Sequence, residues 1–91
     1  MTKSELMVAL SQEMALPLRK SEEIVNAVFD TMVKTLEDGN RIEIRGFGSF
    51  MVKKYQGYTG RNPKTGQIIS VTDKKLPFFK AGKEIKDKVS K

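Results

Sequence analysis

The chain has 91 residues, of which 38% are hydrophobic, and a formal net charge of +6 at pH 7. This length gives one small domain with a thin core, so we expect subunit association to bury further apolar surface. Because cysteine and histidine are absent, disulfides and ordinary zinc sites are excluded. The sequence also has no nucleophile–base pair with His or Cys, no phosphate-binding loop after a strand and no clustered carboxylates, so neither an enzyme nor a cofactor is expected.

The positive charge is concentrated in the second part of the chain. Residues 1–40 carry four basic and seven acidic side chains, whereas residues 41–91 carry thirteen basic and four acidic ones. This distribution favours a polyanion-binding face on the second part, with a surplus of solvated lysine as the alternative. No segment approaches the ~20 apolar residues of a membrane span, and the first residues lack a signal core, so a cytoplasmic protein is expected.

Residues 1–40 predict two helices. Thr2 and Glu5 have the spacing of a capping box, and apolar residues at helical spacing extend the first helix to about Ala15. The second helix is expected to begin at Pro17 and to end before Gly39. Two adjacent apolar stripes give it a wide apolar face: Ile24, Val28, Met32 and Leu36, and Val25, Phe29 and Val33. One stripe can cover the first helix and the other needs a partner, so residues 1–40 are predicted to form the dimerisation part.

From Arg41 onward the apolar residues recur with a period of two. Residues 41–45 alternate charged and apolar side chains, which predicts a half-buried strand, and a glycine-containing turn joins it to a second strand. A polar stretch and the returning strand Ile68–Val71 predict a long β-ribbon, called here the arm, over about residues 53–75.

A short strand around Pro77, restricted to an edge or an end of the sheet, and a final helix complete the pattern. The predicted fold is therefore α+β in a single domain, residues 1–91. It has two N-terminal helices, a three-stranded antiparallel sheet extended into the β-ribbon arm, and a short C-terminal helix. The phenylalanines Phe47, Phe50 and Phe79 and the methionines Met7, Met14 and Met32 are predicted to be core residues.

The arm tip, Gly60–Gly66, has the sequence Gly-Arg-Asn-Pro-Lys-Thr-Gly. It predicts a tight turn that carries two cations and a rigid proline ring, Pro63, near its apex. A rigid apolar side chain of this kind can enter a base step from the minor groove and kink the duplex. An ordinary hairpin turn is the alternative.

This tip resembles the arm signature of the bacterial HU/IHF family of histone-like DNA-bending proteins. Gly46–Phe50 resembles the hairpin of that family, and Phe79–Lys83 resembles the entry to its last helix. All three blocks have the order and spacing of the family, and the resemblance covers essentially the whole chain. It implies an intertwined dimer, most simply a homodimer, whose two arms embrace double-stranded DNA in the bacterial nucleoid.

The resemblance also implies the DNA-binding residues. Pro63 would intercalate, Arg61 and Asn62 would lie beside it in the minor groove, and Lys64 would lie near the phosphates. The other expected contacts are basic residues of the arm base, the first strand, the first helix and the C-terminal region: Lys53, Lys54, Arg45, Lys3, Lys80, Lys83 and Lys86. No catalytic or metal-binding residue is implied.

Two features depart from the HU pattern. Tyr55 and Tyr58 stand where HU members usually have arginine, which predicts fewer phosphate contacts. The block Arg41–Arg45, Arg-Ile-Glu-Ile-Arg, resembles the beta subunit of IHF, in which this face contributes to sequence preference. Because Glu43 could orient both arginines, some sequence preference is one interpretation and a neutralised, solvated strand face is the other.

The predicted function is therefore architectural. The protein would bind duplex DNA through the minor groove and bend it by proline intercalation, largely without sequence specificity, and so contribute to DNA condensation. The alternatives left open are an IHF-like factor with sequence preference, a heterodimer with a paralogue, and RNA binding. Membrane association is disfavoured because the basic residues lie mainly on predicted strands.

Overall fold

The computed structural model describes residues 1–90 and confirms the predicted α+β architecture. Within these residues there are three helices and five strands. Their bounds are α1 Lys3–Glu13, α2 Leu18–Glu37, β1 Ile42–Ile44, β2 Gly48–Tyr55, β3 Tyr58–Arg61, β4 Ile68–Val71, β5 Lys74–Ala81 and α3 Lys83–Val89. The strands form two antiparallel units, the sheet β1-β2-β5 and the ribbon β3-β4.

The first helix begins at the predicted cap. The Thr2 hydroxyl accepts a hydrogen bond from the Glu5 N–H at 3.1 Å and donates one to the Glu5 carboxylate at 3.3 Å. These bonds satisfy one of the otherwise unpaired N–H groups of the first turn. The helix ends at Glu13, two residues before the predicted end, because the chain turns through Ala15, which has a φ of 50°.

The second helix has the predicted boundaries within one residue. Pro17 is its N-cap rather than its first helical residue, so the missing proline N–H costs no helical hydrogen bond. At the other end Gly39 has a φ of 82°, and its N–H donates to the Leu36 carbonyl at 3.0 Å. A left-handed glycine of this kind ends a helix without steric cost.

The two helices pack through a small buried contact. Met7 and Val25 are the buried hydrophobic residues among residues 1–90, and Ser21 is 0% exposed. The Ser21 hydroxyl donates a 2.5 Å hydrogen bond to the Met7 carbonyl, which joins α2 to α1. A fully buried serine therefore lies in the contact between the two helices, and its polar atom has a partner.

Replacing Ser21 by alanine is expected to lower the free energy of unfolding by about 1 kcal/mol, the usual net worth of a hydrogen bond. Urea unfolding at a fixed protomer concentration measures this loss. The exposed Ser4→Ala is the matched control and should leave the urea midpoint unchanged. Equal midpoints for the Ser21 and Ser4 variants would contradict a stabilising role for the interhelical bond.

The sheet has β2 at its centre and places different residues on its two faces. One cross-strand row is Ile42, Phe50 and Phe79, and the next is Glu43, Ser49 and Lys80. Since successive rows point to opposite faces, the first lies on an apolar face and the second on a polar face. The apolar face lies towards α2, which contacts both β1 and β2.

The strand around Pro77 lies at an edge of the sheet, as predicted, because β5 pairs only with β2 within that sheet. It runs over Lys74–Ala81 and is longer than the predicted apolar segment. An edge strand tolerates the proline because one side of its backbone has no partner strand.

The predicted core residues are only partly buried in one protomer. Phe79 is the centre of an aromatic cluster, with ring centroids 4.7 Å from Phe50 and 5.5 Å from Phe47. Phe47 and Phe79 are nevertheless 42% and 39% exposed. The prediction of Met14 as a core residue is wrong for the isolated protomer, where it is 60% exposed beside the end of α1.

The protomer leaves much apolar surface uncovered. Its accessible surface is 7987 Å², whereas a compact monomer of this mass is expected to expose about 5,400 Å². Its radius of gyration is 19.3 Å, compared with about 12 Å for a compact domain of this length. On α2, exposed apolar residues lie on both sides of the buried Ser21 and Val25: Ile24, Val28, Phe29 and Val33. The wide apolar face predicted from the sequence is therefore present, and most of it is not covered by other elements of the protomer.

Candidate nucleic-acid interface

The arm tip is a turn held by its own backbone and side chains. The Asn62 N–H donates to the Gln67 carbonyl at 2.8 Å, and the Gly66 N–H donates to the Asn62 carbonyl at 2.7 Å. The Asn62 side-chain oxygen also accepts from the Lys64 N–H at 2.9 Å. Gly66 has a φ of 70°, which a residue with a side chain rarely adopts. Pro63 is thus presented, exposed, at the apex of an internally hydrogen-bonded turn.

The ribbon behind this tip has two distinct faces. The register places Arg61 opposite Ile68, and Thr59 opposite Ser70, on one face. Arg61 therefore extends from the last paired position before the turn. Ile68, its cross-strand partner, is 71% exposed, so the arm carries apolar as well as cationic surface beside Pro63.

The opposite ribbon face carries Tyr58, Gly60 and Ile69. The Tyr58 ring lies along the strand beside Gly60, since a Cβ built on Gly60 would be 3.5 Å from its Cε2 atom. Tyr58 is 66% exposed and Tyr55, at the end of β2, is 48% exposed. Both tyrosines are therefore surface residues of the arm and not part of the core.

The polar face of the sheet carries Lys53 and Lys80. The Lys53 ammonium lies 3.6 Å from the centroid of the Phe78 ring, on the neighbouring strand β5. A cation–π contact at an exposed site is worth about 0.5–1 kcal/mol and restricts where the lysine head group lies. Phe78 was not predicted as a site residue, and only the register of β2 with β5 reveals that it shares a face with Lys53.

The alternating charges before the first hairpin form one ion pair. An Arg41 guanidinium nitrogen lies 2.8 Å from a Glu43 carboxylate oxygen. Among residues 1–90, Glu43 has no such pair with Arg45. The carboxylate therefore orients one arginine of the block, and Arg45 lies exposed in the turn that follows β1.

The cations of the C-terminal region lie next to the sheet. Lys83 and Lys86 are one turn apart on α3 and are exposed. The Gly82 N–H donates to the Phe47 carbonyl at 2.9 Å, which fixes the start of α3 beside the first hairpin turn. Lys3 is the first residue of α1, in the helical layer, so it is separate from the cations of the sheet and arm.

Most basic side chains of the sheet, the arm and α3 have no acidic partner within the described part of one protomer. Of the cations from Arg41 to Lys88, only Arg41 has a carboxylate within ion-pair distance among the described residues. Residues 1–90 contain no cluster of side chains suited to a metal ion. None of the helices in that range is both long enough and apolar enough to cross a membrane. The arrangement thus presents positive charge along the polar sheet face, the arm and α3, which suits a polyanion.

The comparisons with known proteins agree with this geometry. Residues 1–90 match the model of the family described as bacterial DNA-binding protein. The chain therefore belongs to this family, the HU/IHF family of architectural DNA-binding proteins. The family assignment also agrees with the prediction that the chain is not an enzyme.

The relatives include an integration host factor subunit and HU proteins. The chain is 47% identical to integration host factor subunit beta of Haemophilus influenzae over 90 residues, which are 98% of this chain and 96% of that protein. It is also similar in structure to HU from Anabaena in a cocrystal with DNA. That match has a TM-score of 0.86 and 29% identity, and covers 99% and 98% of the two chains. HU from Thermotoga maritima matches with a TM-score of 0.70 and 26% identity, over 98% of both chains.

Proposed function

We propose that this protein is a dimeric, nucleoid-associated protein that binds duplex DNA with two β-ribbon arms and bends it by intercalating Pro63. The observation that carries the proposal is the exposed Pro63 at the apex of an internally braced turn, in a member of the HU/IHF family. A proline held in this way can enter a base step from the minor groove and unstack it.

The residues beside Pro63 are proposed to hold the tip in the minor groove. Arg61 extends from the last paired position of the ribbon. The minor groove of A·T-rich DNA is narrow and strongly negative, so it attracts such a cation. Because the Asn62 side-chain oxygen is used within the turn, its amide nitrogen is the group that would donate to a base edge. Lys64, directly after the proline, would contact a phosphate.

The body of the dimer is proposed to contact the flanking DNA through its uncompensated cations. These contacts are ionic and sequence-independent: Lys3, Arg45, Lys53, Lys54, Lys80, Lys83 and Lys86. Smooth bending of a site of 20–30 base pairs costs on the order of 1–6 kcal/mol, and the ionic interactions of the wrapped complex must offset this cost. Specificity would therefore come mainly from DNA that is easy to deform.

The second copy in the dimer is proposed to be this same chain. The exposed apolar residues on α2 and the excess accessible surface support a partner that covers a continuous apolar face. A homodimer supplies two identical arms with a Pro63 on each. Localisation in the cytoplasm, on the nucleoid, follows from the proposed ligand.

An IHF-like role with sequence preference is the second candidate. The 47% identity to an integration host factor beta subunit and the Arg41–Glu43 ion pair favour it. A guanidinium oriented by a carboxylate has a restricted geometry, as direct readout of a base edge requires. In that case the chain would pair with a paralogue and bind one sequence much more tightly than unrelated duplexes.

Lys83→Gln and Lys86→Gln test the proposed ionic interface. Each lost phosphate contact is expected to lower the slope of log K against log salt by about 0.9. Fluorescence anisotropy on mixed-sequence duplexes at several salt concentrations measures this slope. Lys34→Gln, on the helical layer, is the control that should leave it unchanged. An unchanged slope for the two α3 variants would remove α3 from the interface, and equal affinity for duplex RNA would favour the RNA-binding alternative.

A further inference from the structure

The base of the arm contains an interruption in strand pairing. The ladder between β2 and β5 ends at Tyr55 and Lys74, and the ribbon resumes at Tyr58 and Val71. The spacing is three residues on both strands, so no residue is inserted and the register continues through the gap. Each of the two chain segments therefore has two residues, 56–57 and 72–73, that lie between the sheet and the ribbon without ladder pairing.

Like charges lie on the sheet side of this interruption. Lys54 lies directly opposite Lys75, and Lys74 is the next residue along β5. Like charges directly opposite each other destabilise strand pairing. The sheet therefore ends at a weak position, where an unrestrained ribbon could change its direction.

A side chain closes the gap. The Asp73 carboxylate accepts a hydrogen bond from the Gly57 N–H on the other strand. In this way Asp73 replaces the backbone carbonyl that a continuous ladder would provide. Gly57 permits the close approach, because a Cβ there would overlap the Val71 carbonyl oxygen.

The charge of Asp73 is otherwise unfavourable for the function. Residues 53–75 contain six basic side chains, and Asp73 is their single acidic residue. A carboxylate at this place repels the phosphates of DNA, so its electrostatic effect alone would weaken binding. The hydrogen bond from the Gly57 N–H gives this carboxylate a structural role at the arm base.

We propose that Asp73 is a positioning residue, which bridges the interrupted ladder and fixes the direction in which the arm leaves the sheet. The consequence for DNA rests on the proposed function, since an arm of fixed direction places Pro63 at a defined base step. Preorganisation of this kind lowers the entropic cost of binding. Asp73 acts through the Gly57 backbone and needs no contact with DNA.

Two substitutions separate the bridge from the charge. Asp73→Asn removes the charge but keeps an oxygen that can accept from the Gly57 N–H, whereas Asp73→Ala removes both. In the free protein, hydrogen exchange of the Gly57 amide is expected to accelerate about ten- to a hundredfold in the alanine variant, as for a lost hydrogen bond to a charged group. The asparagine variant should show a much smaller acceleration.

The same variants are then compared in complex with end-labelled duplex DNA. With saturating protein, energy transfer between the DNA ends should fall for Asp73→Ala and stay near the wild-type value for Asp73→Asn. The asparagine variant should also bind more tightly than the wild type, because a repulsive charge is gone.

Two results would overturn the proposal. Unchanged exchange of the Gly57 amide in Asp73→Ala would show that the bridge does not hold the arm base in solution. Wild-type bending by both variants, with the same increase in affinity, would assign Asp73 a purely electrostatic effect. If the wild-type protein itself did not bend DNA, the proposed function would fail, while the exchange measurement would still decide whether the bridge exists.

Discussion

Replacing Pro63 by alanine is expected to remove most of the DNA bending while leaving most of the binding. The turn keeps its backbone hydrogen bonds and the Asn62 bond to Lys64, none of which involves the proline side chain. The ionic contacts also remain, and these supply most of the affinity of non-specific binding. What is lost is the rigid ring that unstacks a base step. We therefore expect affinity to fall by no more than about tenfold, or 1.4 kcal/mol.

Energy transfer across an end-labelled duplex, measured at saturation together with anisotropy, separates bending from binding for this variant. Pro17→Ala is the matched control, because Pro17 lies at the start of α2 in the helical layer. It should bend DNA as the wild type does. Equal losses of bending and binding in the Pro63 variant would show that the tip anchors the complex without intercalating.

Replacing Val33 by glutamate is expected to abolish the dimer. Val33 is 55% exposed in the protomer and lies on the apolar face of α2, beside a groove that Val52 and Leu76 also line. In the proposed dimer this face is covered, so each protomer would bury an unpaired carboxylate. Such a charge costs about 3–5 kcal/mol. Because the dimer would hold two such charges, its dissociation constant should rise by about ten-thousandfold or more, at roughly 1.4 kcal/mol for each factor of ten.

Sedimentation over a range of concentrations measures this change, and DNA binding should be lost with the dimer. Ala27→Glu introduces the same charge on the polar side of α2, where Ala27 is exposed, and should leave the dimer intact. A stable dimer with Val33→Glu would mean that a different surface joins the copies. Failure of the wild-type chain to dimerise alone would favour the heterodimer.

The elements of this fold could be predicted because each has a strong local signal. Thr2 and Glu5 define a cap, Gly39 ends α2, and the change of period at Arg41 marks the first strand. The tip could be predicted as well, because proline fixes its own φ angle and glycine accepts the positive φ that a tight turn requires. Such signals act within a few residues, so they are visible in the chain itself.

Contacts between distant residues could not be predicted in this way. The bridge from Gly57 to Asp73, the contact of Lys53 with Phe78 and the interhelical bond of Ser21 all depend on register or on helix packing. A polar residue in an otherwise ordinary strand or helix gives no sign of such a partner. The helical pattern can also predict burial that one protomer does not provide. Met14 fits this pattern, but its apolar side chain has little to pack against within one protomer.

The most direct test of the proposed function is whether the wild-type protein bends a mixed-sequence duplex. A duplex of about 35 base pairs, longer than a typical bent site of 20–30, is labelled at both ends and titrated at two salt concentrations. Anisotropy measures binding, and energy transfer measures the distance between the DNA ends. We expect binding that weakens with salt and is accompanied by increased energy transfer. Saturable binding without that increase, or no binding at low salt, would contradict the proposed function.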